Sequence, residues 1–237
     1  MIGNLVSKVT ISFLRYIQYI ILFNIFTPMK FSLAIFIFLV LCNNNVFSQN
    51  LLHNYANLSN SEKSWIIKHP FVAKKTHNVT QKVIKICTEV KIEQMLDQEN
   101  IGGKLDAFRH AYWMAVLTQK IGKRKSKKLG LAHEKGNRIL FDKNLTEDGE
   151  TPDSISCAMD LFNNEQGIRI GQANKKANSV DIKLIVIKKI QEGAMKIIAK
   201  NSTGQFVDCN DKEIPLPEIQ KKWKNSKCLV SSNYNPH

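Results

Sequence analysis

The segment Lys104 to Ile121, KLDAFRHAYWMAVLTQKI, constrains the fold more than any other part of the chain. Wound as a helix, it sets Asp106, His110, Trp113 and Leu117 on one side and Phe108, Ala111, Tyr112 and Ala115 on the other, so it is mainly apolar all round. A helix of that kind must be surrounded, and the rest of the chain has to supply the elements that surround it. Gly102-Gly103 before it and Gly122 after it mark its ends. Tyr112 and Trp113 are both expected to be largely buried. Asp106 and His110 are carried inside with them, where each needs a partner.

The flanking segments also read as helices. Ser59-Asn60-Ser61-Glu62 has the pattern of a capping box, with Trp65, Ile66 and Ile67 opening the apolar side of the first helix. His69-Pro70 breaks it before an amphipathic stretch from Val72 to Gln98 that reads as short helices. Gly122 to Lys125 reads as a basic turn, and Ser126 to about Leu140 as the next helix. The polar run DKNLTEDGETPDS then leads to a helix around Met159, Asp160 and Leu161. Ser179 to Ala199 reads as one long helix with Val180, Leu184, Ile187, Ala194 and Ile198 inside; LIVI alone would also suit a strand. Two extended pieces around Asn210-Asp211-Lys212 follow, with Pro215 and Pro217 confining any strand there to an edge. The expected fold is mainly α, a single helical domain with a short extended or hairpin-like C-terminal tail.

Three of these helices carry a polar pair at i and i+4, the spacing that puts two side chains on one face: Asp106 with His110, His133 with Asn137, and Asp160 with Asn164. Asp160, Asn163, Asn164 and Gly167 share a face, and amides inside a helix are locally unfavourable, so something has to compensate for them. Interhelical hydrogen bonds would do so, with Gly167 admitting a neighbouring backbone, and so would a ligand. If the faces meet around a metal, His110 and His133 with Asp160 or Asp106 give the mixed nitrogen and oxygen shell suited to zinc or another divalent ion. Glu134 would then activate a bound water, and Arg109 would neutralise an anionic transition state. No HExxH sequence and no cysteine spacing of the zinc-binding type is present. The same residues would serve equally as a structural network.

The N-terminal 48 residues read as lying outside the domain. Met29-Lys30, the apolar run FSLAIFIFLVLC and Val46-Phe47-Ser48 follow one another as in a secretory signal over 29–48, which places the mature start at Gln49 and the single domain at 49–237. Residues 1–28 read as an upstream extension. Cys42 lacks the small residue before it that a lipoprotein signal needs. Of the 34 Lys and Arg only Lys8, Arg15 and Lys30 precede residue 49, and no Asp or Glu does, so 31 cations face 20 acids and the mature net charge is +11. That balance favours anionic partners or an envelope surface, although scattered lysines are also what a solvated surface carries, and nothing points specifically to nucleic acid. Export permits disulfides, and Cys209 with Cys228 is the pair closest in sequence; Cys87 and Cys157 read as single thiols.

FRHAYW, AHE and the MDLxNNxxG segment together resemble an uncharacterised bacterial domain family of unknown function, found in exported and surface proteins and in some toxin-like multidomain chains. The resemblance covers about residues 59–175 and implies a helical, exported domain. Its special residues would be Asp106, Arg109, His110, Trp113, His133, Glu134, Asp160, Asn163, Asn164 and Gly167. It implies no activity. Two functions are carried forward: an exported metal-dependent hydrolase acting on a phosphoester or lipid, and a noncatalytic helical module binding envelope polymers or a protein partner.

Overall fold

Ser59 starts the first helix as its sequence requires. Its hydroxyl accepts from the Glu62 backbone N–H at 3.2 Å, and the Glu62 carboxylate accepts from the Ser59 N–H at 2.9 Å, so two otherwise orphaned donors are satisfied reciprocally. A computed structural model of the chain describes Tyr55, residues 58–146 and residues 149–235. The upstream extension 1–28, the signal segment 29–48 with Cys42, and the start at Gln49 lie outside the described residues. Among the described residues the unit Leu58–His237 is mainly α, with seven helices and a two-stranded sheet.

Helix α1 spans Asn60–Lys68 and α2 spans Pro70–Ile92, a single helix of 23 residues rather than several short ones; Pro70 sits in its first turn, where a missing N–H costs nothing. On α1 Trp65 is buried while Ile67 is 70% exposed, so the apolar side does not extend to Ile67. Helix α3, Lys104–Ile121, has the bounds its flanking glycines predict. Asp97 caps it, accepting from the N–H groups of Lys104 at 2.5 Å and Leu105 at 2.9 Å. Helix α4, Lys123–Asp142, begins earlier than expected: Gly122, at φ +84°, makes the whole corner, and the basic residues from Lys123 form the first turn instead of a loop. Helix α5, Ser154–Ala173, is capped by Asp153, whose carboxylate accepts from Ile155 and Ser156.

Helix α6, Ser179–Gln191, departs most from expectation. It stops at Gly193, φ +82°, and Lys196–Ile198 forms strand β1, antiparallel to β2 at Leu229–Ser231. Its inner residues are Ile182, Val186, Ile187 and Ile190, whereas Val180 and Leu184 are 57% and 51% exposed. Between the strands run the isolated bridges Lys200 with Phe206 and Val207 with Glu213, and the short helix α7, Leu216–Ile219. Cys209 and Cys228 are joined by a disulfide, while Cys87 and Cys157 are free. Burial pushes the Cys87 thiol up to about 12, which favours the protonated thiol at neutral pH.

Helix α3 lies at the centre, touching α2, α4, α5 and α6. Phe108, Ala111, Met114, Ala115 and Leu117 are fully buried, and Tyr112 nearly so; Trp113 is half-buried, its indole N–H donating to Thr80 at 3.0 Å. The closest packing is with α5. A Cβ on Gly167 would collide with the carbonyl oxygen of Ala111, and one on Gly171 with that of Ala115. Two glycines one turn apart therefore let the α5 backbone lie directly on α3. No helix among the described residues is long and apolar enough to cross a membrane.

Candidate functional site

The α3–α5 crossing brings two polar pairs face to face. Asp106, His110 and Asp160, all buried, each offer one ligand-type atom within 4.8 Å of the others, the described group of this kind. His110 Nε2 lies 3.3 Å from Asp160 Oδ1 and 3.5 Å from Asp106 Oδ1. Asp106 is fixed from both sides: its Oδ2 accepts from the Gly102 N–H at 2.7 Å, and its Oδ1 accepts from Arg109 Nη2 at 2.7 Å. Gly102, at φ +77°, also accepts from the Ile198 N–H through its carbonyl, so the turn that holds Asp106 is tied to β1.

Arg109 is one-third exposed and stands, with Asp106 and Asp160, in a narrow cleft whose other side is formed by Thr151, Asp153 and Lys227. Lys227 is held there by Asp153 at 2.8 Å and lies over the Phe206 ring. Burial pushes the His110 imidazole well below its ordinary 6.5; the Arg109 and His133 charges add to this, and the nearby Asn164 amide opposes it. Neither His110 Nδ1 nor the Asn164 amide is in hydrogen-bond geometry with any partner. A neutral imidazole beside two carboxylates is a donor set that can hold a divalent ion.

The remaining residues expected at the site divide. His133 is a neighbour, its ring centroid 6.1 Å from that of His110, yet it lies outside the three-residue group: its Nδ1 meets Glu62 Oε1 at 3.1 Å, and the edge of Trp113 packs against it at 5.6 Å. Asn137 does not pair with His133 across one turn; its amide donates to Glu134 at 3.3 Å. Glu134 is buried and also lies outside the group. Asn163 is committed to structure, giving an N–H to the Lys196 carbonyl and accepting from the Lys196 N–H, both at 2.9 Å, as another strand would. Gly167 serves the helix crossing. In the sequence Glu62 is marked only as part of a cap and Lys227 is not marked at all; no local signal makes either a neighbour of this region.

The Glu62 and His133 pair gives a testable pH dependence. Burial raises the Glu62 carboxyl, but the hydrogen bond and charge of His133, with the Ser59 contacts, outweigh it and hold the group below its ordinary 4.5. A carboxylate depressed in the folded state contributes stability that is complete above the unfolded value and is lost as pH falls through the folded one. Glu62→Gln keeps the capping geometry and removes the charge. Its stability deficit against the wild type, measured by urea denaturation, is expected to be largest at about pH 5 to 6, where a carboxylate and an imidazole are both ordinarily charged, and to shrink as pH falls below 4.5; a deficit independent of pH would refute the pairing.

Residues 63–194 match the family described as a domain of unknown function (DUF6973). The match takes in more than half of the chain, and the protein belongs to that family. It begins inside α1 and runs past α6, beyond the expected limit at 175. No curated protein and no solved structure matches the chain.

Proposed function

We propose that this protein is an exported hydrolase that uses a divalent ion, zinc in the first place, held by Asp106, His110 and Asp160, and that it acts on a phosphoester or a related anionic lipid ester. The observation that carries the reading is the buried convergence of two carboxylates and one imidazole within 4.8 Å, brought by two different helices to the inner end of a cleft. A bound divalent ion lowers the pKa of its water to about 7 and so supplies a nucleophile. Arg109 at the cleft mouth is the cation an anionic ester would meet, and it would stabilise charge developing on that ester. Asn164 beside His110 is the natural acceptor for a ring N–H on the side away from the ion, the arrangement that orients metal-binding histidines. Export is supported by the order of charge, apolar run and small residues over 29–48, and by the Cys209–Cys228 disulfide, which belongs to an oxidising compartment.

The second reading, a noncatalytic module for envelope polymers or a protein partner, is favoured by His133 and Asn163, which bond to neighbouring elements as members of a structural network would. Metal analysis of the purified protein, with titration of the chelated form by zinc and by manganese, separates the two. The hydrolase reading expects one ion per chain and chelator-sensitive cleavage of bis(p-nitrophenyl) phosphate. A protein that neither retains nor takes up either ion is the module.

A further inference from the structure

Helices α1 and α2 meet at a corner of one residue, His69, and that corner is held firmly. The His69 N–H donates to the Ile66 carbonyl at 3.0 Å, its carbonyl accepts from Val72 at 3.1 Å, and its ring stacks on Trp65 at 4.7 Å. Two large apolar side chains stand in water on either side of it: Phe71 is 100% exposed and Ile67 70%. Single exposed apolar residues are ordinary, but the charge around this pair is not. From Lys63 to Thr88 the chain has six lysines and no Asp or Glu. Residues 71, 75, 78, 82 and 85 fall on one stripe of α2 and read Phe, Lys, Asn, Lys, Lys, all exposed, while Val79, Val83 and Val90 carry its buried side. The Trp65 indole N–H donates to the Lys125 carbonyl at 3.2 Å, so the start of α4, with Lys123, Arg124 and Lys125 exposed, is fastened to α1 one turn before the corner. The acids that bound this stretch are turned away or distant: Glu62 pairs with His133, and Glu89 lies about five turns along α2 from Phe71.

We infer that this corner docks the protein on the surface of a bilayer rich in anionic lipid, with Phe71 and Ile67 entering below the headgroups and Lys75, Lys82 and Lys85 lying along the lipid phosphates. The combination of groups selects that partner. A polymeric anion would meet the lysines and leave Phe71 and Ile67 in water, and an apolar pocket on another protein would meet those two and leave the lysines without counter-charge. An anionic bilayer meets both, because its acyl region begins directly beneath a layer of phosphates. The rigid corner adds to the fit, since two side chains already held at the tip lose little freedom on insertion. The surface uses none of Asp106, His110 and Asp160 and needs no metal, so it stands or falls independently of the hydrolase reading.

The test reads the corner itself, because the apolar run before residue 49 can hold the full chain on any lipid. Phe71→Trp places a reporter at a fully exposed position and leaves the fold intact. Titrated with vesicles of brominated phosphatidylcholine containing roughly a third phosphatidylglycerol, it is expected to be quenched beyond the wild type, and to need at least about tenfold more lipid when phosphatidylglycerol is left out. Lys75→Glu with Lys82→Glu in that background is expected to raise the lipid needed at least about tenfold. Lys222→Glu with Lys224→Glu makes the same change of net charge at the far end of α4, where Trp223 packs on Phe141, and is expected to shift it less than about threefold. The inference is overturned by any of four results: no quenching beyond that of the wild type, equal quenching on neutral vesicles, an equal loss in the two charge-reversed pairs, or an emission shift produced by heparin and not by anionic vesicles.

Discussion

Gly167→Val is expected to destabilise the domain by more than about 3 kcal/mol, enough to consume much of the roughly 5 to 15 kcal/mol that holds a domain together. The obstacle is not a side chain that can swing away. A Cβ at this position lands on the carbonyl oxygen of Ala111 in a neighbouring helix most of whose side chains are buried. Relief requires α3 and α5 to separate along the most extensive contact in the fold. Gly130→Ala is the control. Its Cβ would meet only the ends of Met114 and Asn164 at 3.3 to 3.4 Å, and the helix propensity gained, about 1 kcal/mol, offsets the crowding. Urea denaturation of both variants should therefore give a large loss for one and a near-neutral result for the other. Equal, small effects would mean that the helices do not lie in contact at this crossing.

The glycines at the α3–α5 crossing, Gly167 and Gly171, explain why part of the candidate site is legible in the sequence and part is not. Helix α3 can be read letter by letter because glycines bracket it and its composition forces it inside; the Asp106 and His110 pair follows from helical spacing alone. That Asp160 would face this pair depends on how closely two helices approach, and Gly167 and Gly171 encode the approach without naming the partner. His133 shows the limit. Its local partner at i+4, Asn137, is the choice spacing suggests, yet the carboxylate that meets it is Glu62, 71 residues earlier in the chain. Asn163 likewise answers to the backbone of Lys196. The end of α6 was hidden for a related reason. Apolar residues at helical spacing continue through Ile198, and only pairing with Leu229–Ser231, more than thirty residues later, turns Lys196–Ile198 into strand. Within α6 the run LIVI offers two possible inner faces, and packing against α3 chose Ile182, Val186 and Ile190 over Val180 and Leu184.

Asp160→Asn is expected to reduce phosphodiester cleavage at least about a hundredfold, about 2.7 kcal/mol of transition-state stabilisation, and to abolish stoichiometric metal retention. The substitution preserves shape and hydrogen-bonding reach while removing the charge that a divalent ion needs, so its effect on folding should be smaller than its effect on the ion. His110→Ala should lose metal as well, but at greater structural cost, since it empties a buried ring volume between α3 and α5. Stability provides a second readout that does not depend on guessing the substrate. An ion that binds only the folded chain stabilises it by mass action, so the chelator should lower the Tm of the wild type and leave that of Asp160→Asn where it is. A structural network predicts the opposite pattern: Asp160→Asn would lower the Tm outright by disturbing buried hydrogen bonds, and the chelator would change neither protein. For the wild type alone the two outcomes are a chelator-induced drop in Tm against no change, so the comparison decides between an ion-binding centre and a polar core even if every test substrate proves to be the wrong one.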